Sequence, residues 1–162
     1  MKLIRRATLL AAAAIATVSA AGAAAASTPG TLHFLDLTES ATPAFDAGTG
    51  APRPGDRIFL HDRLYTWKDG KRGARAGHVD ATLTFMSAFG AHGATVDISG
   101  QMFIPGGSLR VDGIGRVTQG ANRFTLPILG GTGVYAAAHG TVDLRDIGTS
   151  GSKSAVDIHL VP

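Results

Sequence analysis

Apolar and polar residues alternate with a period of two through almost everything that follows Ser27, and no stretch there sustains a helical stripe. Turn-forming clusters interrupt the alternation: Asp69-Gly70, Gly90-Ala91-His92-Gly93, Pro105-Gly106-Gly107 and the run from Gly148 to Ser152. The pattern predicts eight strands, at 31–38, 56–67, 74–86, 94–104, 108–118, 124–129, 139–147 and 154–161. Eight consecutive strands with short connections point to an all-β domain, an eight-stranded antiparallel up-and-down β-barrel, with a sandwich as the alternative. Closure is favoured because it leaves no unpaired edge.

One connection is long. Glu39 to Gly55, "ESATPAFDAGTGAPRPG", holds three prolines and three glycines with little apolar content, so it reads as loop. It is either a flap over a barrel mouth or a plain surface excursion.

The first 26 residues read differently. Lys2, Arg5 and Arg6 precede an apolar run, and Ala24-Ala25-Ala26 offers a small-x-small cleavage pattern, as in a bacterial export leader. Cleavage is expected after Ala26, leaving one secreted domain over 27–162, and Arg5-Arg6 fits the twin-arginine consensus poorly. The run is too short and alanine-rich for a membrane span. The chain has 15 Lys+Arg and 12 Asp+Glu, and three of the cations fall in the leader. The remainder is therefore formally neutral, so its charge gives no reason to expect a nucleic-acid partner. No membrane partner is expected after cleavage. There is no cysteine, which excludes a thiol nucleophile and a thiolate metal site.

Alternation assigns faces. In 56–67 one face carries Ile58, Leu60, Asp62, Leu64 and Thr66, the other Phe59, His61, Arg63, Tyr65 and Trp67. In 74–86 the smooth face is Arg75, Gly77, Val79, Ala81, Leu83 and Phe85. Val96, Ile98, Gly100, Met102 and Ile104 share a face, as do Val142 with Leu144 and Val156 with Ile158 and Leu160. Asp62 stands out on this greasy surface. A buried carboxylate without a partner is costly, so it is paired, protonated or at work. Arg75 is the partner that the face assignment offers; a barrel-mouth salt bridge is the structural alternative.

The stretch Ile128 to Ala136, "ILGGTGVYA", satisfies G-x-G-x-x-G/A, yet it cannot be a dinucleotide loop. That motif needs a helix opening at the third glycine and a parallel strand beyond. Here the remaining residues read as two more strands, so the cluster is expected to be a hairpin turn.

The run "FTLPILGGTGVYAAAHGTVDLRDI" (Phe124 to Ile147) resembles the late signature of the allene oxide cyclase and dirigent-like superfamily. "PGDRIFLHDRLYTWKDGKRGARAG" (Pro54 to Gly77) is similar to an upstream stretch of the cyclases, and "FLDLTES" (Phe34 to Ser40) to their first strand. The resemblance implies an eight-stranded barrel, a homo-oligomer (dimer or, as in the family, trimer), and an apolar lumen that shapes a reactive small molecule without a cofactor. The family's first-strand glutamate and second-strand asparagine map to Asp36 and Asp62, which makes these the candidate catalytic residues. Phe34, Thr38, Leu60, Arg75, Val79 and Phe85 are the candidate substrate-binding residues, and no metal ligand set is expected. Aspartate for glutamate at 36 draws the carboxyl back by about 1.5 Å. Aspartate for asparagine at 62 adds a charge, and Val79 stands where the plant cyclases have cysteine. Jasmonate-type cyclisation is therefore not the expected reaction.

Three functions follow: a cofactor-free cyclase, isomerase or dirigent-like stereocontrol protein; a non-catalytic barrel for a hydrophobic ligand; or a structural or interaction protein with a packed core. A lumen of roughly 300 Å³ or more that reaches both aspartates separates the first two from the third. Filling by Phe34, Phe85, Met102 and Phe124 would leave only the packed core. The six histidines are scattered singly and read as surface or hydrogen-bonded groups. Phe59, Tyr65 and Trp67 read as an oligomer contact or as unremarkable exposed aromatics.

Overall fold

The computed structural model describes residues 30–45, 50–147 and 152–161. The expected leader and residues 46–49 of the long connection lie outside them. Eight strands follow in order: β1 (Gly30–Pro43), β2 (Arg57–Lys68), β3 (Lys71–Phe85), β4 (Ala94–Ile104), β5 (Gly107–Val117), β6 (Arg123–Gly133), β7 (His139–Asp146) and β8 (Lys153–Val161). Each pairs antiparallel with its chain neighbour, and β8 returns to β1 from Gly30↔Leu160 to Leu37↔Lys153. The sheet is a closed barrel. Closure turns one face of every strand inward, which is why alternation persists along the chain. The β2–β3 hairpin turns at Asp69-Gly70, both with positive φ (51° and 72°), the geometry that Asp-Gly favours.

The long connection begins later than expected. β1 continues to Pro43, and its register moves from Thr38↔Asp62 to Ser40↔His61, so Glu39 is an extra residue in a β-bulge. The bulge swaps the faces: Asp36 and Thr38 line the interior before it, Ala41 after it. The period of two breaks at Glu39, so alternation alone stops the strand there. The described part of the connection is tied down by backbone hydrogen bonds. Ala44 N–H donates to Arg57 O (2.8 Å), Gly55 N–H to Phe85 O (2.8 Å), and Phe89 N–H to Pro52 O (3.0 Å). The Phe45 ring meets Phe85 edge-on, 6.4 Å between centroids.

The glycine cluster is not the turn. Gly131 pairs with Leu109 and Gly133 with Gly107, so the cluster ends β6, and the chain turns at 134–137. A side chain at Gly131 would collide with the Ser108 carbonyl oxygen. One at Gly133, where φ is +61°, would collide with that of Gly106. This close approach places Tyr135 in the core cluster with Ile104, Leu109, Ile128 and Leu160. Its hydroxyl donates to Pro105 O (3.1 Å), and burial raises its pKa. The motif therefore seals one end of the barrel.

Gly131→Ala is expected to destabilise the protein by about 2 kcal/mol or more, while Gly120→Ala, whose added Cβ would meet nothing nearer than the Thr118 Oγ1 at 3.9 Å, changes stability by less than about 1 kcal/mol. Urea denaturation of both variants measures the difference; equal midpoints would rule out a packing role for the motif.

Candidate functional site

Away from the Tyr135 end, the lumen is hollow. A cavity of about 250 Å³ is lined from all eight strands. Its walls are apolar, among them Leu60, Val79, Met102, Phe124, Leu126 and Val156. Space is left where the inward positions are small, at Ala41, Ala81 and Gly100; a side chain on Gly100 would stand 3.2 Å from the Ala81 Cβ. Met102 and Phe124 thus line the lumen without filling it. The volume lies slightly under the expected threshold of roughly 300 Å³, but the cavity does reach both aspartates.

Asp36 on β1 and Asp62 on β2 are diagonal neighbours, since Asp36 faces Leu64 and Thr38 faces Asp62. Each is 5% exposed. Their carboxyls share a hydrogen bond, and the Thr38 hydroxyl donates to Asp62. Oδ1 of each is buried with no hydrogen-bond partner among the described residues. Burial is the main force on Asp36, followed by the charge of Asp62, the shared hydrogen bond and the charge of Asp146, and together they raise its pKa to about 8. Burial also raises Asp62, against the Thr38 hydrogen bond, His61 and the bond from Asp36. Two adjacent carboxyls cannot both ionise cheaply, so one proton is held between them, chiefly on Asp36. The pair offers an O–H donor and a carboxylate acceptor side by side in a largely apolar lumen. That arrangement can pass a proton to or from a bound molecule, or stabilise positive charge on it.

A third carboxylate escaped the sequence reading. Asp146 lies on the same inward face as Val142 and Leu144, so two further steps of alternation would have found it. Its Oδ2 accepts from the Asn122 backbone N–H (2.8 Å) and side-chain N–H (3.1 Å), and its Oδ1 from the Ser154 hydroxyl (3.1 Å). Ser154 stands between Asp36 and Asp146 in the strand register. Asn122, in the β5–β6 turn, carried no pattern from which its place could be read.

The structure sorts the other candidates. Thr38, Leu60 and Val79 line the cavity with the two aspartates. Phe34 and Phe85 are buried in the core cluster and are not part of the cavity wall. Arg75 is corrected: the β2–β3 register shifts after Leu64↔Gly77, and Arg75 pairs with Tyr65 and is exposed. It acts electrostatically on Glu39, not on Asp62. On the outer face His33 bonds Asp157 (2.6 Å), His61 bonds Asp80 (2.5 Å), and His78 stacks on Phe103 (4.5 Å). Phe59 is exposed, while Arg72 lies over Tyr65 and Lys153 over Trp67. Among the described residues no group of three His, Asp or Glu side chains is placed to hold a metal ion.

No protein-family model and no curated protein matches the chain. Solved structures do. A pyocyanin demethylase superposes with a TM-score of 0.65 at 19% identity, over 82% of this chain and 100% of that one. AbnU, an exo-specific intermolecular Diels-Alderase, gives 0.63 at 16% identity, over 82% of this chain and 98% of its own. The pterocarpan synthase dirigent protein GePTS1 gives 0.59 at 14%, over 82% and 83%. At these identities the likeness is one of fold alone: the eight-stranded antiparallel barrel that the alternation predicted.

A carboxyl with a raised pKa binds its proton more tightly folded than unfolded. The stability this confers is fully present below about pH 4 and is lost as the pH rises to about 8. Asp36→Asn, neutral throughout, should therefore gain on the wild type over that range. Its melting temperature relative to wild type is expected to rise by on the order of 5–10 °C from pH 4 to pH 8.5. A flat difference in calorimetric melts would show that Asp36 ionises normally.

Proposed function

We propose that the barrel takes an apolar, unsaturated small molecule into its lumen and steers its cyclisation or isomerisation without a cofactor. The observation that carries this reading is the carboxyl pair, Asp36 with Asp62, whose unpartnered oxygens belong to side chains that line a largely apolar cavity. A purely structural core would fill that space and pair those oxygens.

The apolar walls would fold the substrate into a near-attack shape and exclude water. Asp36, protonated at neutral pH, would donate a proton or hydrogen bond to an oxygen of the substrate. Asp62, held by Thr38, would take a proton or stabilise positive charge as it develops. Leu60 and Val79 supply shape beside the pair. The sharing of this fold by Diels-Alderases and a pterocarpan synthase dirigent protein supports a reaction controlled largely by shape. The reading includes export through the leader and a homo-oligomer of the processed chain. It includes no nucleic-acid or membrane partner.

Three variants test it. Ala81→Trp, which fills the cavity, is expected to abolish ligand capture from apolar extracts. Asp36→Asn and Asp62→Asn should retain capture but slow product formation by about 100-fold or more. Chromatography of extracts incubated with each protein reads both quantities. Capture with an unchanged product profile in all cases would leave a non-catalytic carrier, and capture unaffected by Ala81→Trp would remove the lumen from the function.

A further inference from the structure

The polar lining of the lumen is one-sided. Asp36, Asp62 and Asp146 line it, together with Thr38, Asn122 and Ser154, and among the described residues no Lys, Arg or His does. Three cations that adjoin these residues in the sequence are engaged on the outer face. Arg63 is bonded to Glu39 through two nitrogens, His61 to Asp80, and Lys153 lies over Trp67. Asp146 has three hydrogen-bond donors, whereas Asp36 and Asp62 each keep a buried oxygen without one.

A buried carboxylate is normally matched by a cation, and among the described residues none lines the lumen. From this geometry we infer that the lumen takes an apolar ligand bearing a protonated nitrogen, which donates to the free oxygens of Asp36 and Asp62, and that it rejects the corresponding carboxylate. A protonated amine would supply the missing donors and the missing positive charge together. A neutral hydroxyl would supply one donor and no charge. An anion would meet the charges of Asp62 and Asp146 and, among the described lining residues, no cation. The charge of Asp146, which already acts on Asp36, lies in the same lumen and adds to the preference.

The inference rests on the ligand-binding lumen proposed above, and the test separates the two. Phenylbutylamine, phenylbutanol and phenylbutyrate share one apolar body and differ in the head group. Titration calorimetry of the purified protein at pH 7 is expected to rank amine over alcohol by about tenfold and alcohol over carboxylate by a similar factor. Asp62→Asn should cut the preference for the amine over the alcohol to about threefold or less. The ranking on the wild type stands by itself if that variant fails to fold. Alcohol and carboxylate binding as tightly as amine, with Ala81→Trp still abolishing all three, would overturn the cation preference and keep the lumen. Binding of none of the probes would overturn both.

Discussion

Pairing of β8 with β1 is the constraint on which the rest depends. It joins the two ends of the sheet, so every strand has two partners and no edge is left to satisfy. It also forces one face of each strand into a common interior, which only apolar or neutralised side chains can occupy at low cost. Along the same seam it sets Ser154 opposite Asp36, while the β7–β8 register sets Ser154 opposite Asp146. The polar corner of the lumen is thus a product of closure, because its members come from both ends of the chain.

The two ends of the barrel are built to different purposes. At one, close backbone approach at Gly131 and Gly133 lets the 134–137 turn deliver Tyr135 into the core, where it packs with Ile104, Leu109, Ile128 and Leu160. Toward the other, small residues at 41, 81 and 100 hold the lumen open. Burial then acts on chemistry: it raises Asp36 until a proton stays in the pair, and Thr38 holds Asp62 by a hydrogen bond. A packed end provides the stability against which a hollow, partly unsatisfied site can be maintained.

Much of this was legible from residues alone, and two of the failures share a cause. Asp62 was readable because it interrupts a run of inward leucines. Asp36 was readable only through the family resemblance, since the short first strand offered too little alternation. Arg75 was misplaced and the end of β1 was missed at register shifts, where one extra residue reverses the faces. Alternation carries no memory across a bulge. Asp146 was within reach of the pattern, but Asn122 sits in a turn, and only the hydrogen bonds to Asp146 bring it to the lumen.

The order of apolar and polar residues by itself determined that this chain makes eight strands with one greasy face each, because period two has no other stable use. It also determined that a carboxylate lies among the inward residues of β2. Only the tertiary structure decided that Asp36 and Asp62 share a proton, that Asp146 joins them, and that Arg75 does not. Those facts depend on register between strands, and register is fixed by bulges and by closure, which act between residues far apart in the chain.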